Sequence, residues 1–357
     1  MRNSLLKIAM ISGCLMLGSA VAQAENLLDW IQKSSSSQHG NQPQVVDDGA
    51  VLLTLEPNES EMYPQVSPDG KQLLVVAENQ KGAWVSRRSL ANGDPLNLVI
   101  DEASALNSIH WQGDEKVSFI RQRSGELGLW RMHADGEGLL SRSHLLQGMI
   151  IQALPLPDGS VIAVRLHGLK SKHNEATARQ GQAKQSGFNN WDVDQFESEI
   201  VHLDSTGAEK VLSAGVTPSI SPDGTRIVFS MADGRSVHLY AMDVNGDNLV
   251  QITHDRSVDV QPSWSHDGHW IVFTSNREHM DRERGKSSWD VWAIDREGRQ
   301  LTQLTTDPAR DGAPTVASNG RVYFHSDRDI GADVKKERQV KSTRGFHVWS
   351  VVLPVIQ

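Results

Sequence analysis

Between Gln261 and Thr306 apolar and polar positions alternate in four short runs separated by polar breaks. Residues 269–275 (HWIVFTS) and 289–295 (WDVWAID) read as half-buried strands, rich in β-branched and aromatic residues. Residues 262–265 predict a shorter strand ahead of them, opened by a proline where no ladder N–H is needed, and residues 300–304 predict a fourth. Asp267-Gly268 and Glu297-Gly298 mark the turns. At Asp-Gly, glycine accepts positive φ cheaply and aspartate tolerates it. Four hairpin-linked strands bury little alone, so such a unit needs neighbours on both faces.

Partial copies of the unit fill most of the chain. Turns recur at Asp69, Asp114, Asp158, Asp223, Asp267 and Asn319, at spacings of 45, 44, 65, 44 and 52 residues. Three spacings near 44 and two longer ones describe a fixed period with insertions. A period of about 40–45 residues with four strands per repeat is that of a β-propeller blade. Residues 45–55 (VVDDGAVLLTL) predict the second half of a blade with no first half before it, while the last copy lacks a fourth strand. Placing residues 50–55 beside residues 346–353 joins the termini and leaves no open ring edge. The expectation is an all-β fold: six four-stranded antiparallel blades, closed by an N-terminal strand on the C-terminal blade.

The pattern PxxSPDGxxIxFxS, followed by DxYxxD, Gly and Leu-Thr, resembles the TolB-type propeller repeat. Residues 63–77, 217–253 and 261–305 carry it best, and the copies at Asp114, Asp158 and Asn319 are degraded. The resemblance spans residues 45–357 and implies a six-bladed periplasmic propeller. It also implies a protein partner in the cell envelope, because a family member binds the peptidoglycan-associated lipoprotein Pal through its propeller. The α/β domain that precedes the propeller there has only residues 25–44 in its place here.

Composition adds the compartment. Residues 1–24 read as a signal peptide, with Arg2 and Lys7 at its positive end, an apolar stretch, and a small-x-small cleavage site at Ala22-Gln23-Ala24. The apolar stretch is too short for a membrane span. A competing lipoprotein cleavage before Cys14 would give a lipid-anchored outer-membrane form; it leaves only about six apolar residues where 7–15 are typical. With ordinary cleavage the only cysteine leaves with the signal, so disulfides and cysteine metal sites are not expected. Losing Arg2 and Lys7 moves the net charge from −9 to −11. An acidic chain with no basic tract is a poor binder of nucleic acid or anionic membrane. Residues 25–44 read as a flexible polar segment, or as a docking peptide that orders on a partner. A monomer is expected.

Chemistry is sparse. No G-x-S-x-G, H-E-x-x-H, C-x-x-C or P-loop is present. Asp243-x-Asn245-x-Asp247 starts like a calcium loop, but Asn248 and His254 stand where Gly and Glu are needed. No cofactor or metal is expected. The strand tryptophans read as packing between blades rather than as carbohydrate platforms. Long insertions at residues 166–197, 277–288 and 327–345 all fall between second and third strands, on the face that also carries the blade-to-blade links. Two links, DRSVD (255–259) and DPARD (307–311), should rim the channel. Arg256, Asp259, Arg310 and Asp311 are therefore the candidate partner-binding residues, either clamping a partner's carboxylates or pairing among themselves. The functional expectation is a non-catalytic propeller that binds an envelope or secreted protein. The alternative is a saccharide binder, or a propeller-type lyase, working at the channel mouth.

Overall fold

The computed structural model describes residues 48–101, 108–169, 196–234, 236–277, 289–337 and 345–354. The expected signal peptide and residues 25–44 lie outside them, as do residues 170–195, 278–288 and 338–344 of the three long insertions.

Six four-stranded antiparallel sheets form. Blade I comprises Ser60–Val66, Gln72–Asn79, Gly82–Ser89 and Pro95–Ile100. Blade II comprises His110–Gln112, Lys116–Arg123, Glu126–His133 and Ser141–Leu146. Blade III comprises Met149–Pro155, Val161–Leu169, Phe196–Leu203 and Glu209–Ala214. Blade IV comprises Val216–Ile220, Arg226–Asp233, Ser236–Asp243 and Val250–Gln251. Blade V comprises Asp259–Trp264, Trp270–Ser275, Asp290–Asp295 and Thr302–Gln303. Blade VI takes Asp311–Val316, Arg321–Ser326 and His347–Val352, and its outer strand is Val51–Leu52. There Val51 pairs with Ser350 and Leu52 with Trp349, antiparallel. First strands contact first strands of neighbouring blades, so they surround the axis.

Each blade seals against the next through apolar side chains. Val228 and Leu239 of blade IV meet Trp264, Phe273 and Trp292 of blade V. Trp270 and Val291 of blade V meet Phe324 and Val351 of blade VI. Tyr323 and Val348 of blade VI meet Leu73 and Val75 of blade I, which closes the ring. Trp130 belongs to the cluster between blades I and II, and Trp289 packs on Val260. Trp130, Trp264, Trp270, Trp289 and Trp292 thus lie in packing between blades, and burying a large apolar side chain is worth about 1.5–3 kcal/mol.

The Ser-Pro-Asp-Gly turns show how sequence becomes geometry. Ser67 Oγ donates to Asp69 Oδ1 at 2.7 Å and accepts from the Gln72 N–H at 2.9 Å. Ser221 does the same with Asp223 (2.6 Å) and Arg226 (2.9 Å). Glycine alone takes the positive φ, +69° at Gly70 and +72° at Gly224. The aspartates serve by accepting hydrogen bonds. The Ser67 hydroxyl beside Asp69, and the Ser221 hydroxyl beside Asp223, hold both carboxyls below the usual carboxylate range.

The proline of the repeat does not open its strand as expected. Pro262 stands fourth in Asp259–Trp264, at a β-bulge between Val260 and Ser263. A bulge removes the ladder bond a proline cannot make, so the position suits it. The residue before it, Gln261, has φ +55°. Tyr63 (+52°), Thr217 (+50°) and Ala313 (+48°) precede prolines at the same place in blades I, IV and VI. Four inner strands therefore share one strained kink, held by the packing around it.

Candidate functional site

The insert-bearing face is built at the heads of the inner strands. Asp259 opens the inner strand of blade V and is fully buried. Across the ladder lies Ser275, the last residue of the second strand. Ser275 Oγ donates to Asp259 Oδ1 at 2.6 Å. Two residues on, Arg277 bonds Asp259 Oδ2 at 2.9 Å and Asp255 Oδ2 at 3.1 Å. Its guanidinium lies 5.0 Å from the Trp292 ring centre and 5.3 Å from that of Phe273. Aromatic faces and two carboxylates thus desolvate and compensate one cation.

Blade VI repeats the device. Asp311 is fully buried, Ser326 lies opposite it, and Arg328 bonds Asp311 Oδ2 at 2.6 Å. Arg328 stacks over Phe324 at 5.4 Å and Trp349 at 5.7 Å. Its second carboxylate comes from the other end of the chain: Asp48 takes both guanidinium nitrogens at 2.8 Å. Asp48 also accepts the Thr306 N–H at 3.0 Å. Burial raises the Asp48 carboxyl, but the Arg328 hydrogen bonds and charge outweigh it and leave it below the usual range. Blade I has a variant in which fully buried Glu61 meets Arg88 at 2.7 Å, with Glu56 on the same arginine at 2.8 Å.

Asp259 and Asp311 therefore sit beneath the rim, each held by an arginine from the root of a long connection. Arg310 is half-buried and bonds Asp327 at 2.6 Å rather than either link aspartate. Of the four rim residues, Arg256 is the exposed one. Arg277, Arg328 and Asp48 were missed by the sequence reading; the shared Ser-x-Arg after FTS and FHS was the available signal. The strand ends from which the long connections leave and return share a face with the links. The Val237 N–H donates to Ser257 O, and the Asp311 N–H to Trp289 O, so third-strand starts touch the following links. Within the connection of blade VI a short helix, Ala332–Glu337, forms, and Ile330 and Val334 pack on Leu52, Leu55 and Trp349.

Asp243, Asn245 and Asp247 form an ordinary turn, in which the Asp243 N–H donates to Asp247 O at 2.9 Å. Among the described residues no three His, Cys, Asp or Glu side chains converge to hold a metal ion. Among them, too, no helix is long and apolar enough to cross a membrane.

Comparison with known proteins gives the same architecture. Residues 197–282 match the TolB beta propeller domain. An uncharacterised protein of Agrobacterium fabrum is 27% identical over 144 residues, covering 39% of this chain and 46% of that one. The Tol-Pal system protein TolB of Desulfosudis oleivorans is 33% identical over 69 residues, 17% of this chain and 16% of that one. The chain thus spans less than half the length of these relatives. The crystal structure of TolB from Acinetobacter baumannii superposes with a TM-score of 0.51 at 16% identity, covering 72% of this chain and 57% of that one. Repeat, family match and superposition agree: the chain carries a TolB-like six-bladed β-propeller.

Proposed function

We propose that this is a non-catalytic periplasmic propeller that binds a protein partner of the cell envelope, in a Tol-Pal-like or assembly role, through its insert-bearing face. The observation that carries the reading is the pinning of two long connections at their roots. In blades V and VI a buried arginine fixes the point where the connection leaves the sheet. Such roots hold loops on a rigid scaffold, the arrangement binding surfaces favour. Arg256 supplies an exposed cation there, and Asp259 and Asp311 act through the arginines they hold. The signal-peptide reading of residues 1–24 supports the compartment, and the TolB relatives support the envelope role.

In-cell crosslinking tests it, comparing the full chain with one lacking residues 170–195 and with Arg256→Glu. The expected result is loss of at least one crosslinked species in either variant. Unchanged crosslinks in both would remove the face assignment. Mass spectrometry of the mature N-terminus should find Glu25; a lipidated Cys14 would shift the proposal to an anchored form.

A further inference from the structure

The inner strands carry a second pattern, separate from the insert-bearing face. A side chain on an inner strand has a blade on either side, so it reaches solvent chiefly along the axis. The half-exposed inner-strand positions include Tyr63 and Gln65, His110, Trp111 and Gln112, Ile151 and Gln152, Thr217 and Ser219, Gln261 and Ser263, and Thr315. Across all six inner strands no exposed or half-exposed position carries Asp, Glu, Lys or Arg. The three charged residues those strands do carry, Glu61, Asp259 and Asp311, are fully buried and each is held by an arginine. In a chain that is 22% charged, with a net charge of −9, this neutral wall is a selective feature.

The wall is also oriented. Gln65 Nε2 donates to Ile109 O of blade II at 2.7 Å, and Gln152 Nε2 donates to Pro218 O of blade IV at 3.4 Å. Gln261 Oε1 accepts the Ala313 N–H of blade VI at 2.9 Å and the Thr274 hydroxyl at 3.1 Å. One end of each amide is tied to the protein, so the other end is presented in a fixed sense: an acceptor from Gln65 and Gln152, a donor pair from Gln261. Ser219, Ser263 and Thr315 add hydroxyls, which serve as both donor and acceptor. Trp111 is fixed by its Nε1–H to Gln65 O at 2.9 Å, with its ring half-exposed. The His110 ring turns inward with its Nε2 buried, and burial pushes the imidazole down to about 4, so it too is uncharged at neutral pH.

We infer that the axial channel binds an uncharged, hydroxyl-rich ligand, a neutral saccharide, through this ring of amides, hydroxyls and aromatic edges. Each ligand hydroxyl donates and accepts, as these groups do, and an apolar sugar face suits a half-exposed indole. Past the rim, where Arg256 stands exposed, an acidic saccharide would meet inner strands that offer no exposed cation, at a desolvation cost those strands do not offset. An extended peptide is the competing occupant, but it brings charged side chains the wall does not match.

Isothermal titration calorimetry of the full chain tests this, with cellotetraose, maltotetraose and chitotetraose as neutral probes and tetragalacturonate as the charged one. At least one neutral probe should bind, with affinity changing less than about twofold between low and high salt because no ion pair is formed. Ser219→Ala combined with Ser263→Ala should weaken it about 5- to 150-fold, for two lost hydrogen bonds, with the melting curve nearly unmoved. Tighter binding of tetragalacturonate, a steep salt dependence, or no neutral probe bound at 10-fold millimolar excess would each overturn the inference. So would an uncharged peptide that binds, and is weakened by the same pair of substitutions, where the saccharides do not.

Discussion

Blades IV and V sit side by side and share the repeat most fully, yet differ at the head of the inner strand. Blade V has Asp259, Ser275 and Arg277 locked together, below a long connection between its second and third strands. Blade IV opens with Val216, follows Ser230 with Met231 and Ala232, and turns tightly near Gly234. At that place it has a part-buried bond from Thr217 Oγ1 to Ser230 Oγ at 3.1 Å. Both blades bury apolar clusters against their two neighbours. The ion pair is therefore no requirement of a blade. In blades V and VI it sits at the root of a long connection, whereas blade I, which turns tightly between Asn79 and Gly82, still holds buried Glu61 on Arg88. Blade III is the informative exception: its long connection leaves from a strand where Arg165 pairs with Glu199 and Glu209, half-buried near the outer edge.

The strongest way to break this contrast is to remove the arginine of blade VI. Arg328→Met leaves Asp311 and Asp48 buried without a cation, and should cost about 3–5 kcal/mol in guanidinium unfolding. Adding Asp311→Leu should recover much of that loss, since an apolar pair replaces an unpaired charge.

Acid should act next. His325 of blade VI is buried, and its Nδ1 accepts the Tyr63 N–H of blade I at 3.2 Å. Burial, with the nearby Arg310 charge, pushes its imidazole down to about 3. The unfolded chain then binds more protons than the folded one between about pH 3 and 6.5. Stability is whole above about pH 6.5 and is lost as pH falls through that window, by up to about 1.4 kcal/mol per unit. His325→Gln should flatten that part of the stability–pH curve. An unchanged slope would show that His325 does not govern the VI–I junction.

Matched serine substitutions sharpen the comparison at lower cost. Ser275→Ala removes a hydrogen bond to a carboxylate and should cost about 1.5–3 kcal/mol, while Ser230→Ala, between neutral groups, should cost about 0.5–1.5. Equal losses would erase the distinction between the two blades. Smallest of all, Ser221→Ala in the turn of blade IV should cost about 0.5 kcal/mol, because its carboxylate partner Asp223 is exposed and rehydrates freely, with the melting temperature as readout.

Periodicity made the architecture legible. The repeat spacing gave six blades, and the half-blades at the two ends pointed to the pairing of residues 50–55 with residues 346–353, where the structure has Val51–Leu52 on His347–Val352. Local roles were harder. An Asp-Gly dipeptide announces a turn, but not that aspartate acts as an acceptor while glycine alone bends. Pro262 announces an interrupted ladder, but a strand start and a bulge leave the same mark. The rim was least legible. DRSVD and DPARD look like exposed charged links, and only three-dimensional pairing with residues 277 and 328 shows that Asp259 and Asp311 lie inside. Charge in a sequence says nothing of its depth when the neutralising partner is distant along the chain.

The borrowed outer strand of blade VI also imposes an order of events. Thr54 receives the Val348 N–H at 3.1 Å across a separation of 294 residues. The segment 50–55 is synthesised before any complete blade and paired last. Until the final blade arrives, a β-prone run with an unpaired edge waits in solution, the kind of species that associates with itself. Loop closure over such a distance is slow, and folding should end with one late step that tethers both termini. Whatever shields that run during synthesis protects the yield of the whole protein.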